Sequence, residues 1–293
     1  MSLRPNTAFW TFLVAAALCG AAPDRIAAAE PAGEGESGPE FRLSSALGLR
    51  AVPVGLTLGN DLGARWGLFE SESRLLEDTW IEPGITTEIS PSNGWGGLYL
   101  DAVPVAVLQL HASFQSIHYF GTYGYLHVPA DQSEPDWTLD AVDDRFQAGR
   151  PARGWMTTLR ARPRVKLGPF VAFVDGEFRW IDMEVDGAYY ESTFDVLLEP
   201  EDGYYSVVPT AGWVFEFAGT SSWLLTAGAW EHTSTLRTDL TRNMARLLLL
   251  WGVPFEVGGA APEVAILGGH WVTHPNRAGT WYLAGQISVD WTL

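Results

Sequence analysis

The sequence predicts an all-β chain closed into an antiparallel transmembrane β-barrel of about twelve strands, with ten as the alternative count. Three observations predict it. Segment after segment alternates apolar and polar residues with the period of a strand, as in the closing "TWYLAGQISVDWTL", where Trp281, Leu283, Ile287, Val289 and Trp291 oppose Tyr282, Gln286, Ser288 and Asp290. Tryptophans fall near the segment ends, at Trp66, Trp80, Trp155, Trp180, Trp213, Trp230, Trp251, Trp271, Trp281 and Trp291, as the aromatic girdles of a membrane barrel require. Connections alternate between short and long, the asymmetry of a barrel that crosses a bilayer.

The elements follow in order. Residues 1–29 read as a secretory signal peptide: Arg4 precedes an apolar or small run from Ala8 to Ala22, and Ala27 to Ala29 offer a small-residue cleavage site. The run is shorter than the ~20 residues a spanning helix needs. The one cysteine, Cys19, lies inside it, so the processed chain is expected to carry no disulfide and no thiolate metal site. Residues 30–40, rich in Gly, Pro and Glu, read as a flexible periplasmic lead-in, and 41–293 as the barrel domain. Strands are expected at 41–52, 54–68, 79–90, 95–103, 106–119, 153–167, 170–184, 204–217, 223–237, 244–257, 262–273 and 280–293. The second is the weakest, because it keeps one parity throughout and Pro53 makes a poor turn. Short turns at 104–105, 168–169, 218–222 and 258–261 fall at one end. Loops 120–152, 185–203, 238–243 and 274–279 fall at the other.

The strands flanking "LGPF" predict their own register. A two-residue turn at Gly168-Pro169 places Arg162 across from Asp175 and Arg160 across from Glu177, on the polar face. The residues expected to line the lumen include Arg65, Glu82, Glu88, Arg160, Arg162, Arg164, Asp175, Glu177, Arg179, Glu216, Glu231 and Arg246, with Arg237 and Glu256 on the same parity. The whole chain has 18 Lys plus Arg against 35 Asp plus Glu and a formal net charge of −17. That balance excludes a nucleic-acid partner, which needs a basic footprint, and no cofactor motif is present.

Through Ile287, Val289 and Trp291, apolar at alternate positions up to the terminus, the chain resembles Gram-negative outer-membrane β-barrel proteins as a broad class. It ends in Leu293 where that class typically carries a terminal aromatic. The resemblance implies residence in the outer membrane, contact with outer-membrane lipid and lipopolysaccharide, and recognition of the last strand by the barrel-assembly machinery. A monomer is expected.

Architecture does not fix function, because one barrel form hosts channels, enzymes and adhesins. One reading is a narrow charge-lined pore for small polar solutes, or a surface scaffold if the mixed charges close the lumen. The other comes from "WEHTS". His232 and Ser234 share the parity of Leu224 and Trp230 and so fall on the lipid face. A His-x-Ser pair on the outer wall is similar to the catalytic dyad of outer-membrane phospholipases and lipid A deacylases, in which His activates Ser for attack on an ester. Thr235 stands where those families carry Asn, and Asn243 is expected in a loop. Loops 120–152 and 185–203 are acidic, and Asp140, Asp143 and Asp144 form a candidate cation site. Most such charge runs are solvated faces, which is the expectation for Glu191, Asp195 and Asp202 as well.

Overall fold

A computed structural model describes residues 38–51, 54–69, 71, 73, 75–76, 78–142 and 149–293. The signal peptide, Cys19, most of the lead-in, Pro53, Asp143 and Asp144 lie outside the described residues. The strands are β1 (Glu40–Ala51), β2 (Val54–Gly67), β3 (Trp80–Ile89), β4 (Asn93–Val105), β5 (Leu108–Phe120), β6 (Leu126–His127), β7 (Pro151–Leu167), β8 (Phe170–Met183), β9 (Tyr189–Glu191), β10 (Val196–Leu198), β11 (Glu201–Glu216), β12 (Trp223–Thr235), β13 (Thr241–Gly252), β14 (Glu263–Thr273) and β15 (Trp281–Thr292). A single helical turn, α1, covers Leu139–Val142. Twelve strands close in the order β1-β15-β14-β13-β12-β11-β8-β7-β5-β4-β3-β2, and β10-β9-β6 form a separate three-stranded sheet. Among the described residues no helix is long and apolar enough to cross a membrane.

Closure is antiparallel, with Arg42 paired to Thr292 and Arg50 to Ala284, so the last strand meets the first and leaves no edge for lipid to strip of hydrogen bonds. Period-2 alternation then sends one set of side chains outward. Leu47, Leu49, Leu58, Ile85, Leu98, Phe114, Leu159, Leu247, Ile266 and Ile287 are each more than two-fifths exposed. Trp66, Trp155, Trp213, Trp230, Trp251 and Trp281 join them near the rims. Two tryptophans expected in the girdle point inward instead. Trp80 is 6% exposed beneath the Arg65 guanidinium, 3.7 Å from its ring centroid, and Trp271 is 1% exposed with Arg242 at 5.0 Å. Each covers an interior arginine, which offsets some of the cost of desolvating it.

The turn at Gly168, which adopts φ of +61°, sets β7 against β8 in the expected register, with Arg160 opposite Glu177 and Arg162 bonded to Asp175. β13 stops at Gly252, earlier than the alternation suggested, because Pro254 has no backbone N–H to donate to a ladder. Glu256 therefore sits exposed in the following turn.

The interior is divided. Toward β11–β15 it is packed like a soluble core, with Val171, Phe173, Val214, Leu225, Leu248, Leu250 and Leu267 in one cluster. A second cluster at the loop end joins inward residues Trp95, Ile117, Met156 and Tyr204 to the loop residues Tyr125, Tyr189, Phe194 and Val196. The segment 189–198 thus folds back into the barrel. Glu191 and Asp195 of that segment and Asp202 of β11 are 2%, 1% and 0% exposed, which overturns the expectation of solvation for these three, each bonded to cations or backbone amides inside, while Asp131, Glu134, Asp136, Asp140, Asp186 and Glu201 are exposed.

Candidate functional site

Many interior charged side chains are paired, most of them strand to strand. Arg65 Nε donates to Glu82 Oε2 at 2.7 Å, and Tyr99 OH to Glu82 Oε1 at 2.8 Å. Glu177 is held by Arg160 at 2.7 Å and Arg179 at 2.9 Å, and Glu231 by Arg242 at 2.9 Å and by Arg246. Asp101 Oδ1 and His111 Nδ1 are 2.8 Å apart. Arg164 Nε donates to the Ala106 carbonyl. Glu88 is buried beside Arg160 and Arg179 in a polar cavity of about 50 Å³ that Asp101, His111 and Tyr99 also line. Glu216 is exposed at the turn end near Lys166. Arg237 lies past the end of β12, half exposed over the Trp180 ring at 5.5 Å, and so outside the lumen. The chain's basic residues are all Arg except Lys166, a preference suited to buried, multiply bonded carboxylates.

The loop end is closed by the segment Glu191–Asp195. Arg50 of β1 donates to the Ser192 and Thr193 carbonyls at 3.0 and 2.9 Å. Tyr119 of β5 donates to Glu191 at 2.6 Å, and Phe194 packs on Trp95, Tyr204 and Arg179. Asp195, with φ of +58°, accepts from Tyr190 OH at 2.6 Å, Arg277 Nε at 2.8 Å, His274 Nε2 at 3.1 Å and Arg242 Nη1 at 3.5 Å. Burial opposes ionisation of Asp195, but Arg277, then His274 and Arg242, hold its carboxyl well below the usual range. Burial pushes Glu191 the other way, upward, against the bonds it receives from Thr193, Tyr119 and Phe194. Neither Arg277 nor Arg50 was singled out by the sequence, and Asp195 was expected on a solvated face. The available signal was the aromatic and apolar density of "YYESTFDVLLEP" inside a supposed surface loop.

On the outer wall the structure brings together what the sequence held apart. Asn243 is in β13, not in a loop, and is the direct cross-strand partner of His232. His232 Nδ1 and Asn243 Oδ1 are 3.0 Å apart, and Asn243 Nδ2 donates to Thr273 Oγ1 of β14 at 2.7 Å. Ser234 lies two residues beyond His232, its Oγ 3.4 Å from Thr241 Oγ1. Tyr205 pairs with Ser234, and its ring centroid is 6.0 Å from that of His232. A second outward couple was missed: Ser116 Oγ and His118 Nε2 on β5 are 2.9 Å apart, and among the described residues nothing bonds the other ring nitrogen. Its sequence signal was the same spacing in reverse, Ser-x-His. Asp140 sits in α1 and exposed, and the described residues hold no group of three or more His, Cys, Asp or Glu arranged to bind a metal.

No family model and no curated protein matches the chain. Among solved structures it is similar to the β domain of the Bordetella autotransporter BrkA, with TM-score 0.46 and 14% identity over 87% of this chain and 99% of that one. It is also similar to the translocator domain of the autotransporter NalP from Neisseria meningitidis, with TM-score 0.42, 13% identity, and 89% and 90% covered. An outer membrane channel from Pseudomonas putida F1 gives TM-score 0.39 and 11% identity over 89% and 99%. At these scores the likenesses carry no argument. The closed barrel and its apolar outer wall are what make the chain an outer-membrane β-barrel protein.

Proposed function

We propose that the barrel is an acyl-ester hydrolase acting on membrane lipid from its outer wall, with Ser234 as nucleophile, His232 as general base and Asn243 as the group that orients the base. The observation that supports it is the Nδ1 to Oδ1 contact of 3.0 Å between His232 and Asn243 on the face that carries Ser234. With Nδ1–H donating to the amide oxygen, the Nε2 lone pair is left free to take a proton. Residues at i and i+2 of a strand are about 6.6–6.8 Å apart on one face, a gap that the imidazole spans once the Ser234 rotamer leaves its weak contact with Thr241.

The chemistry then balances. Nε2 takes the Ser234 proton as Oγ attacks the ester carbonyl. The tetrahedral intermediate collapses with that proton passing to the leaving alcohol, and water, activated by the same nitrogen, hydrolyses the acyl-serine. The site's place near the loop end of β12, between Tyr205 and Trp230, both about two-fifths exposed, is the depth at which ester linkages of a bilayer lie beside aromatic girdles.

The refolded protein in mixed micelles with phospholipid should release fatty acid. Ser234→Ala is expected to lower the rate by at least about 10³-fold while Ser116→Ala leaves it unchanged. No release by properly folded parent protein would refute the proposal. A second reading, the narrow pore, draws on the charged ladder of β7 and β8. It requires the 189–198 segment to withdraw, and discrete conductance steps altered by Arg162→Ala would support it. A barrel that neither hydrolyses nor conducts would leave the scaffold role.

A further inference from the structure

We infer that Thr273 is a positioning residue of this outer-wall site, delivered to it by a β-bulge in β14. The inference rests on the hydrolase reading for its consequence but on independent geometry for its substance. Along β14 the pairing with β13 slips: Met244 pairs with Trp271, yet its neighbour Asn243 pairs with Thr273. One residue, Val272, is left over. The effect on side-chain direction is visible in burial. Trp271 points inward and is 1% exposed, Val272 points outward at 46%, and Thr273 is exposed as well. His274, which strict alternation would put on the face of the exposed His270, is instead buried against Asp195.

Without the bulge, Thr273 would continue the inward parity of Trp271 and could not reach Asn243. A bulge of this kind commonly re-aims a side chain near a functional site. Here it turns a hydroxyl onto the outer wall, where Thr273 Oγ1 accepts from Asn243 Nδ2 at 2.7 Å. That bond ties up the amide's donor end and leaves Oδ1 to face His232 Nδ1 at 3.0 Å. Without that anchor the amide could turn about its side-chain bonds and leave the ring without a fixed partner. A hydrogen-bonded chain across three strands, Thr273 to Asn243 to His232, thus anchors the amide that faces the imidazole.

Thr273→Val removes the hydroxyl at nearly constant volume, and Thr273→Ser restores it. In fatty-acid release from phospholipid micelles, Thr273→Val is expected to lower kcat about ten- to a hundredfold with KM unchanged, and Thr273→Ser to recover most of it. In an Asn243→Ala background the same change should add nothing, because Thr273 acts through the amide. Independently of turnover, nitrogen-15 NMR of histidine-labelled barrel, assigned with His232→Gln, should show the His232 ring N–H that faces Asn243 protected from exchange with water in the parent and exchanging faster in Thr273→Val. Parent-like kcat in Thr273→Val, with Ser234→Ala inactive, overturns the positioning role and leaves the hydrolase reading standing. An inactive parent overturns the hydrolase reading, and ring N–H exchange still decides Thr273: an unchanged His232 exchange rate in Thr273→Val refutes the inference.

Discussion

Replacing Asp195 by Asn should release the segment that closes the barrel while leaving the barrel itself intact. The substitution is nearly isosteric, and Asn tolerates the left-handed φ of +58° at this position as well as Asp does. The bond from Tyr190 OH can persist. What disappears is a negative charge between Arg277 at 2.8 Å and Arg242 at 3.5 Å, both buried. Removing one partner of a buried ion pair costs about 3–5 kcal/mol. Arg242 retains Glu231 at 2.9 Å, which puts the expected cost at the lower end, about 3 kcal/mol. Since 1.4 kcal/mol is a factor of ten, the open population should rise about 10²-fold. Hydrogen exchange of the Ser192, Thr193 and Phe194 amides, each bonded within this region, would report it directly. Heat-dependent gel mobility should stay that of a folded barrel. Unchanged exchange at these amides would refute the claim that Asp195 holds the segment. Acid should do the same. Asp195 is depressed in the folded state, so its contribution is present above the unfolded value near 3.9 and is lost as pH falls through the folded one. Glu191 is raised, so its contribution is present below its unfolded value and fades as pH rises through the folded one. Protection of the segment should therefore weaken on both sides of a maximum in mildly acidic solution.

Two further changes test the interior. Arg162→Met leaves Asp175 buried without its partner and should destabilise the barrel by about 3–5 kcal/mol, whereas Arg162→Met with Asp175→Leu should recover most of that loss; urea unfolding in detergent would measure both. Gly84→Ala puts a methyl against the Tyr99 ring and 2.5 Å from the Leu62 carbonyl, so it should cost about 1–3 kcal/mol, and a parent-like midpoint would show that the Tyr99 ring and the β2 backbone both give way.

The strands were legible because the barrel has two faces and a strand has period 2, so Trp281, Leu283 and Ile287 against Gln286 and Ser288 could mean little else. Register was legible where a tight turn fixed it, at Gly168-Pro169. The closing segment was not, because its partners Arg50, Tyr119, Arg242 and Arg277 are on distant parts of the chain and no period links them. Trp80 and Trp271 were misplaced by the habit of reading rim aromatics as lipid-facing. Their own parity with Glu82, and with the buried Ala265 and Leu267, pointed inward. Asn243 was lost to a loop boundary set a few residues late, and Thr273 could not be found at all: a bulge breaks the very alternation on which face assignment depends.

The filled lumen and the outer-wall site are two sides of the same strands. On β12 the inward Glu231 and Thr233 alternate with the outward His232 and Ser234, and on β13 the inward Arg242 and Met244 flank the outward Asn243. Glu231 reaches across to Arg242 at 2.9 Å and accepts from Thr233 at 3.0 Å, directly behind the pairing of His232 with Asn243. A slip of one residue between β12 and β13 would break these interior bonds and carry Asn243 away from His232 together. Interior charges that pair across these strands therefore also pin the register on which the outer hydrogen bond depends. The proposed nucleophile, base and orienting amide would need placement to within about 0.5 Å, and a wall locked from behind by desolvated ion pairs would supply it without any loop having to close over the lipid.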